Sequence, residues 1–147
     1  MHSATVSEHV LQLVTFTLDK EEYAVDILNV QEINRITEIT KVPNAPDYVE
    51  GVINLRGKVI PVLNLRKKFG LFLKDRDDSS RIIIMDIQGT TYGLIVDSVS
   101  EVLRIQADTV EPPPPMAANM GSIFVRGIAK LDNRLIILIE IDKLLDQ

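Results

Sequence analysis

Residues 14–36, VTFTLDKEEYAVDILNVQEINRI, align without a gap with residues 83–105, IIMDIQGTTYGLIVDSVSEVLRI. The identical positions are Tyr23 and Tyr92, Val30 and Val99, Glu32 and Glu101, Arg35 and Arg104, and Ile36 and Ile105. A second gapless match pairs residues 51–69, GVINLRGKVIPVLNLRKKF, with residues 127–145, GIAKLDNRLIILIEIDKLL. Because both matches run in the same order and keep their turn residues in register, they indicate an internal duplication.

Within both copies, apolar residues alternate or run continuously over short segments rich in valine and isoleucine, which is typical of β-strands. We predict strands at about 10–18, 22–27, 30–36, 51–56, 58–63, 81–88, 91–96, 99–105, 123–131 and 134–141. Short strands at this spacing favour a sandwich or barrels over an α/β fold. We therefore expect an all-β chain of two similar five-strand units, spanning about 14–75 and 80–147, and leave open an exchange of the N-terminal strand.

Helix is predicted in only a few short segments, at 46–51, 64–71 and 142–146. Asn64 is a suitable N-cap for the second of these and Gly70 a suitable stop, while Asp142 is the expected cap of the last. The basic residues 66–68 are interpreted as a solvated helix face. The charged segment 74–80 and the proline-rich segment 111–121 are predicted to be irregular.

Composition restricts the function of this chain of 147 residues. It has no cysteine, which excludes disulfides and a cysteine-based zinc site and fits a reducing compartment. A net charge of −5 with 5% aromatic residues argues against nucleic acid as a partner. Neither a signal peptide nor an apolar run long enough for a membrane span is evident. We expect a cytoplasmic protein that does not insert into a membrane.

Nothing in the sequence indicates catalysis. His2 and His9 lie in an N-terminal tail away from any predicted site, and no nucleotide-binding, nucleophile-elbow or metalloprotease motif occurs. Asp26, Asp86 and Asp97 lie on or just after strands, where acids usually satisfy backbone donors. The sequence therefore predicts a protein that is not an enzyme and that needs neither a cofactor nor a metal.

Four motifs resemble the CheW family of bacterial chemotaxis coupling proteins. They are EEYAVDILNVQEI at 21–33, GVINLRGKVIPVLNLRKKFG at 51–70 preceded by VPNAPDYVE, TYGLIVDSVSEVLRI at 91–105, and VRGIAKLDNRLIILIEIDKLL at 125–145. The motifs recur in family order and spacing, and the resemblance extends over about residues 12 to 146.

The resemblance implies two five-stranded SH3-like barrels and a scaffold function. The partners it implies are the cytoplasmic tips of methyl-accepting chemoreceptors and the histidine kinase CheA, whose homologous regulatory domain would pair with this chain barrel to barrel. It places the protein at the cytoplasmic side of membrane receptor arrays. We expect a free-standing adaptor rather than a fragment of CheA or a CheV-like fusion.

The resemblance also singles out candidate site residues. Glu32 and Arg56 are expected to form an interface ion pair, because arginine and carboxylate can bond bidentately and so fix geometry. Aliphatic residues are expected to line a receptor-binding groove between the barrels: Val14, Ile27, Val30, Ile33, Val99 and Val102. Buried core is the alternative for each of these. A generic peptide- or oligonucleotide-binding barrel is the rival function, but it would need an aromatic or basic face.

Overall fold

The computed structural model describes residues 9–113 and 124–145 of the chain. Their strands are β1 (Val10–Leu18), β2 (Glu21–Asp26), β3 (Val30–Arg35), β4 (Val49–Leu55), β5 (Lys58–Asn64), β6 (Arg81–Ile87), β7 (Thr90–Val96), β8 (Ser98–Gln106), β9 (Val110–Glu111), β10 (Val125–Leu131) and β11 (Arg134–Ile139). The single α-helical turn described is α1 (Leu65–Lys68), and 3₁₀ turns cover Ile27–Asn29, Ala107–Thr109 and Ile141–Lys143. The all-β class and, over the described residues, the ten expected strands are confirmed, whereas β9 was not predicted. Residue 123 of the expected strand 123–131 and residues 114–121 of the expected irregular segment lie outside the described residues.

The strands form two sheets with the same internal order. One sheet runs β8-β1-β2-β11-β10-β9 and the other β3-β6-β7-β5-β4. In the sequence repeat, β8 aligns with β3, β1 with β6, β2 with β7, β11 with β5, and β10 with β4. When each of these strands in the first sheet is replaced by its aligned strand, the order of the second sheet results. The duplication seen in the sequence is therefore present in the topology.

Each sheet is built from both halves of the chain. The β1–β2 hairpin joins the strands of the second half, and the β6–β7 hairpin joins those of the first. Two compact units result: a central unit, Asn29–Val99, and a terminal unit that combines residues up to Leu28 with residues from Ser100 onward. These bounds differ from the expected units of about 14–75 and 80–147. The reason is that each half of the chain contributes a whole hairpin, rather than one strand, to the sheet of the other half.

Both sheets curl until the chain leaving one edge strand reaches the opposite edge. In the central unit the segment after β3 bridges β4, where Thr40 and Val52 exchange backbone hydrogen bonds of 2.9 and 2.8 Å. In the terminal unit β9 follows β8 directly and pairs with β10. Closure of this kind removes exposed sheet edges.

Each unit has its own hydrophobic core. Leu13, Ala24 and Leu138 belong to the core of the terminal unit. Ile60, Val62 and Ile84 belong to that of the central unit. In the terminal unit, these residues come from the β1–β2 hairpin and from β11. In the central unit, they come from β5 and from β6 of the β6–β7 hairpin. Burial of their side chains therefore holds each exchanged hairpin in its sheet.

The short helical segments differ from their predictions. Asn64 caps α1 as expected, its side chain accepting the Lys67 N–H at 3.2 Å. Residues 46–51 instead form a turn that leads into β4, because strand pairing begins at Val49. Asp142 is not a cap: it lies inside the last 3₁₀ turn, where Glu140 holds the cap position without a side-chain bond.

Candidate functional site

The expected pair of Glu32 and Arg56 forms in the central unit. Glu32 lies on the edge strand β3, and Arg56 occupies the two-residue turn between β4 and β5. Arg56 has φ +52° and Gly57 has φ +87°, as a type I′ hairpin turn requires. Asn54 fixes this turn by accepting the Gly57 N–H at 2.9 Å. The pair therefore joins the two edges of the sheet.

The contact between the two side chains is bidentate. Arg56 Nη1 donates to Glu32 Oε1 at 3.3 Å, and Nη2 donates to Oε2. Asn34 adds a bond of 3.0 Å to Oε1. Hydrogen bonds from Arg56 and Asn34 lower the pKa of the Glu32 carboxyl, and the same contact raises the pKa of Arg56. With 70% of its side chain exposed, Arg56 keeps a face toward solvent that a partner can reach.

A corresponding cluster in the terminal unit was not predicted. Glu101, which aligns with Glu32, accepts a bond of 2.8 Å from Arg134 on β11, and Arg134 also binds Glu22 at 2.6 and 3.0 Å. Hydrogen bonding by Arg134 lowers the pKa of Glu22. The alignment of Glu101 with Glu32 was the available signal. Arg134 was not predicted as the partner of Glu101 because it aligns with Lys58 rather than with Arg56.

The six aliphatic candidates differ in exposure. Val14 is a core residue, 2% exposed, so its side chain is not available to a partner in this structure. Ile27, Val30 and Val99 are half-buried. The two most exposed, Ile33 at 38% and Val102 at 55%, align with one another in the repeat. Val14, Ile27 and Val102 belong to the terminal unit, and Val30, Ile33 and Val99 to the central unit.

Further exposed apolar residues were missed by the sequence reasoning. Val59 and Leu135 align in the second repeat match and are 71% and 60% exposed on β5 and β11. Leu28 is 88% exposed, and Phe72 and Leu73 are 92% and 65% exposed in the loop after α1. Their positions within apolar runs resemble core positions, which is why the strand pattern did not reveal them.

The interpretation of residues 66–68 as a solvated face is wrong for Arg66. Its side chain is 7% exposed and pairs with Asp97 at the end of β7. Lys68 instead stacks over Tyr48, 4.0 Å from the ring centroid, and burial lowers the pKa of Lys68. Within this one turn, Leu65 and Arg66 are buried and Lys67 and Lys68 are half-buried.

Within 9–113 and 124–145, no group of three or more histidine and acidic side chains has the proximity needed to hold a metal ion. Over the same residues, no helix is long and apolar enough to cross a membrane.

Comparisons with known proteins identify the family. The family model for the CheW-like domain matches residues 12–147. The chemotaxis protein CheW of Klebsiella aerogenes is 37% identical over 134 residues, which cover 91% of this chain and 81% of the relative. The CheW protein of Treponema pallidum is 33% identical over 143 residues, covering 95% and 84%.

A solved structure agrees with the fold. The crystal structure of the scaffolding protein TtCheW from Thermoanaerobacter tengcongensis has a TM-score of 0.85 and 43% identity, and the match covers 95% of this chain and 94% of that one. Topology, sequence repeat and relatives lead to one assignment: the chain belongs to the CheW family and is a non-enzymatic adaptor of chemotaxis signalling.

Proposed function

We propose that this adaptor couples methyl-accepting chemoreceptors to the histidine kinase CheA on the cytoplasmic side of receptor arrays. The observation that supports this most directly is the exposure of Ile33 and Val102, aligned aliphatic residues on the edge strands β3 and β8. Aliphatic side chains left in water at matched positions are suited to receive the apolar face of a partner helix.

The receptor contact would draw on Ile27, Val30, Ile33, Val99 and Val102. The most exposed of these have the most area to lose to a partner, while the half-buried ones would fix its position. Val14 contributes only by supporting the β1–β2 hairpin from the core.

The Glu32–Arg56 pair would act as a polar contact in the central unit, where Glu32 lies on the same strand as Ile33. Its two parallel hydrogen bonds hold the guanidinium in one orientation, and the exposed N–H groups of Arg56 can donate to a carboxylate or carbonyl of a partner. CheA is proposed to bind through its regulatory domain, barrel to barrel, as a member of the same structural family.

Pull-down of purified CheA and a receptor cytoplasmic fragment, with and without this chain, tests the proposal. We expect the chain to bring both into one complex. Val102→Asp should weaken retention of the receptor fragment by about 1–3 kcal/mol, because binding would desolvate an unpaired charge. Glu32→Arg and Arg56→Glu should each weaken retention of at least one partner.

Lys58→Glu is the matched control, since it reverses an exposed charge two residues beyond Arg56 without touching the pair. Full retention of both partners by Val102→Asp and by both single charge reversals would show that these residues do not form the interface. Failure of the unmodified chain to retain either protein would contradict the coupling function itself.

A further inference from the structure

The terminal unit contains a cavity with a mixed apolar and cationic lining. It has a volume of about 430 Å³, and it is lined by residues from the end of β2, from β8 and from β10. Leu11, Ile27 and Leu28 supply apolar surface, and Arg104 and Arg126 supply positive charge. A cavity of this size falls within the range of small-ligand and side-chain binding sites.

Two arginines line this cavity although the chain carries a net charge of −5. Among the described residues, no carboxylate forms an ion pair with either Arg104 or Arg126. The acid in the lining, Asp26, accepts the Leu28 N–H at 2.9 Å through Oδ1. The cavity thus offers guanidinium donors without a resident partner in that part of the chain.

The corresponding place in the central unit shows what such a site holds when it is filled. Ser80 and Ile95–Asp97 align with Leu11 and Asp26–Leu28, and they line a cavity of only about 30 Å³. There Asp97 supplies a carboxylate to Arg66. In the terminal unit, Leu28 stands at the position of Asp97 and Asp142 at that of Arg66, so this ion pair is not repeated. The cavity there is larger, and its arginines come from β8 and β10 instead.

We propose that this cavity binds a segment of a partner protein that carries a carboxylate beside apolar side chains. The carboxylate would pair with Arg104 and Arg126, and the apolar part would cover Leu28, which is 88% exposed. Arginine suits this role because its planar fork donates two parallel hydrogen bonds to a carboxylate.

NMR titration of the ¹⁵N-labelled chain tests the proposal. The probe is a short N-acetylated, C-amidated peptide of leucine, alanine and glutamate, and the reference peptide has glutamine in place of glutamate. We expect saturable shifts of the amides of Ile27, Leu28 and Arg104 with the acidic peptide, and binding weaker by about tenfold or more with the glutamine peptide.

Two variants test the site from opposite sides. Arg104→Gln combined with Arg126→Gln should weaken binding of the acidic peptide by about tenfold or more through loss of the guanidinium donors. Leu28→Asp should do the same while keeping both arginines, because it puts a carboxylate in the cavity lining that competes for the arginines and repels the peptide glutamate. Arg35→Gln is the matched control, since Arg35 aligns with Arg104 but lies outside the cavity, and binding should be unchanged.

Equal affinity for the two peptides, or undiminished binding by the double variant and by Leu28→Asp, would overturn the proposal. Sodium acetate alone saturating the same amides as tightly as the acidic peptide would also overturn it, by identifying a site for small anions. The titration requires neither CheA nor a receptor, so its failure leaves the proposed coupling function intact.

Discussion

The guanidinium of Arg66 and the carboxylate of Asp97 form two parallel hydrogen bonds, Nε to Oδ1 at 2.8 Å and Nη2 to Oδ2 at 2.6 Å. Arg66 Nη1 also donates to the Phe72 carbonyl at 2.6 Å. With 7% and 15% of the two side chains exposed, the pair links α1 and the loop after it to the end of β7 from within the protein.

Asp97→Asn should therefore be strongly destabilising. The substitution keeps the shape of the side chain but leaves the Arg66 charge buried without its partner, and we expect a loss of about 3 kcal/mol in the free energy of unfolding. Urea denaturation followed by circular dichroism measures this. Lys74→Gln, which breaks the exposed pair with Asp77, should cost less than about 1 kcal/mol. Similar losses for the two variants would contradict the structural role of the buried pair.

The contact between Glu32 and Arg56 should affect the titration of the Glu32 carboxyl. Because the pKa of Glu32 in the folded chain is lowered from its ordinary value of 4.5, the pair stabilises the fold fully above that value and loses its effect as the pH falls through the lowered pKa. In Arg56→Gln, the pKa of Glu32 should rise toward 4.5, as measured by ¹³C NMR of the carboxyl group.

Glu22 is the internal control for this measurement. Its pKa is lowered by a hydrogen bond from Arg134 rather than from Arg56, so it should stay lowered in the Arg56→Gln variant. An unchanged Glu32 titration in that variant would show that the contact with Arg56 is not maintained in solution.

Gly51 should tolerate substitution much less well than Gly57. A Cβ at Gly51 would lie 2.2 Å from the Thr40 carbonyl oxygen, and the residue has φ +151°. Gly51→Ala should therefore lower the free energy of unfolding by about 3 kcal/mol or more, because the backbone at Thr40 that closes the sheet must move. Thermal unfolding measures this loss. Gly57→Ala meets no atom within 4 Å and should cost only about 1 kcal/mol for its positive φ. The reverse order of stabilities would contradict the closure at Thr40.

Aspartate substitutions at Val14 and Val102 should distinguish a core residue from a surface residue. Val14→Asp places a charge at a position that is 2% exposed, and we expect loss of the cooperative thermal transition. Val102→Asp, at 55% exposure, should stay within about 0.5 kcal/mol of the unmodified chain. Thermal circular dichroism distinguishes the two. A folded Val14→Asp protein with an unfolded Val102→Asp protein would reverse the assignment of the two residues.

Much of the fold could be predicted because the repeat and the strand pattern are local properties of the sequence. The period of two in segments such as 10–18 fixed the strand bounds closely, and Asn64 marked its helix. Strand pairing is not local. The pattern did not reveal that β1–β2 would join the strands of the second half, nor that Val110 and Glu111 would close a sheet.

The candidate site was predictable where a residue aligned with a family motif or with its own repeat, as for Glu32 and Arg56. It was not predictable where the availability of a side chain to a partner depends on burial. Val14 and Val102 are both β-branched strand residues, and only the structure shows that one is enclosed and the other exposed. Arg66 shows the same limit, because its partner Asp97 lies 31 residues away.

The crossing of the β1–β2 and β6–β7 hairpins has a consequence for the origin of the chain. A polypeptide that carried a single copy of the repeat would hold all the strand types of one sheet. Two such molecules could reproduce the pairing seen here only by exchanging a hairpin. With both copies in one chain the exchange is intramolecular, so the pairing does not depend on protein concentration.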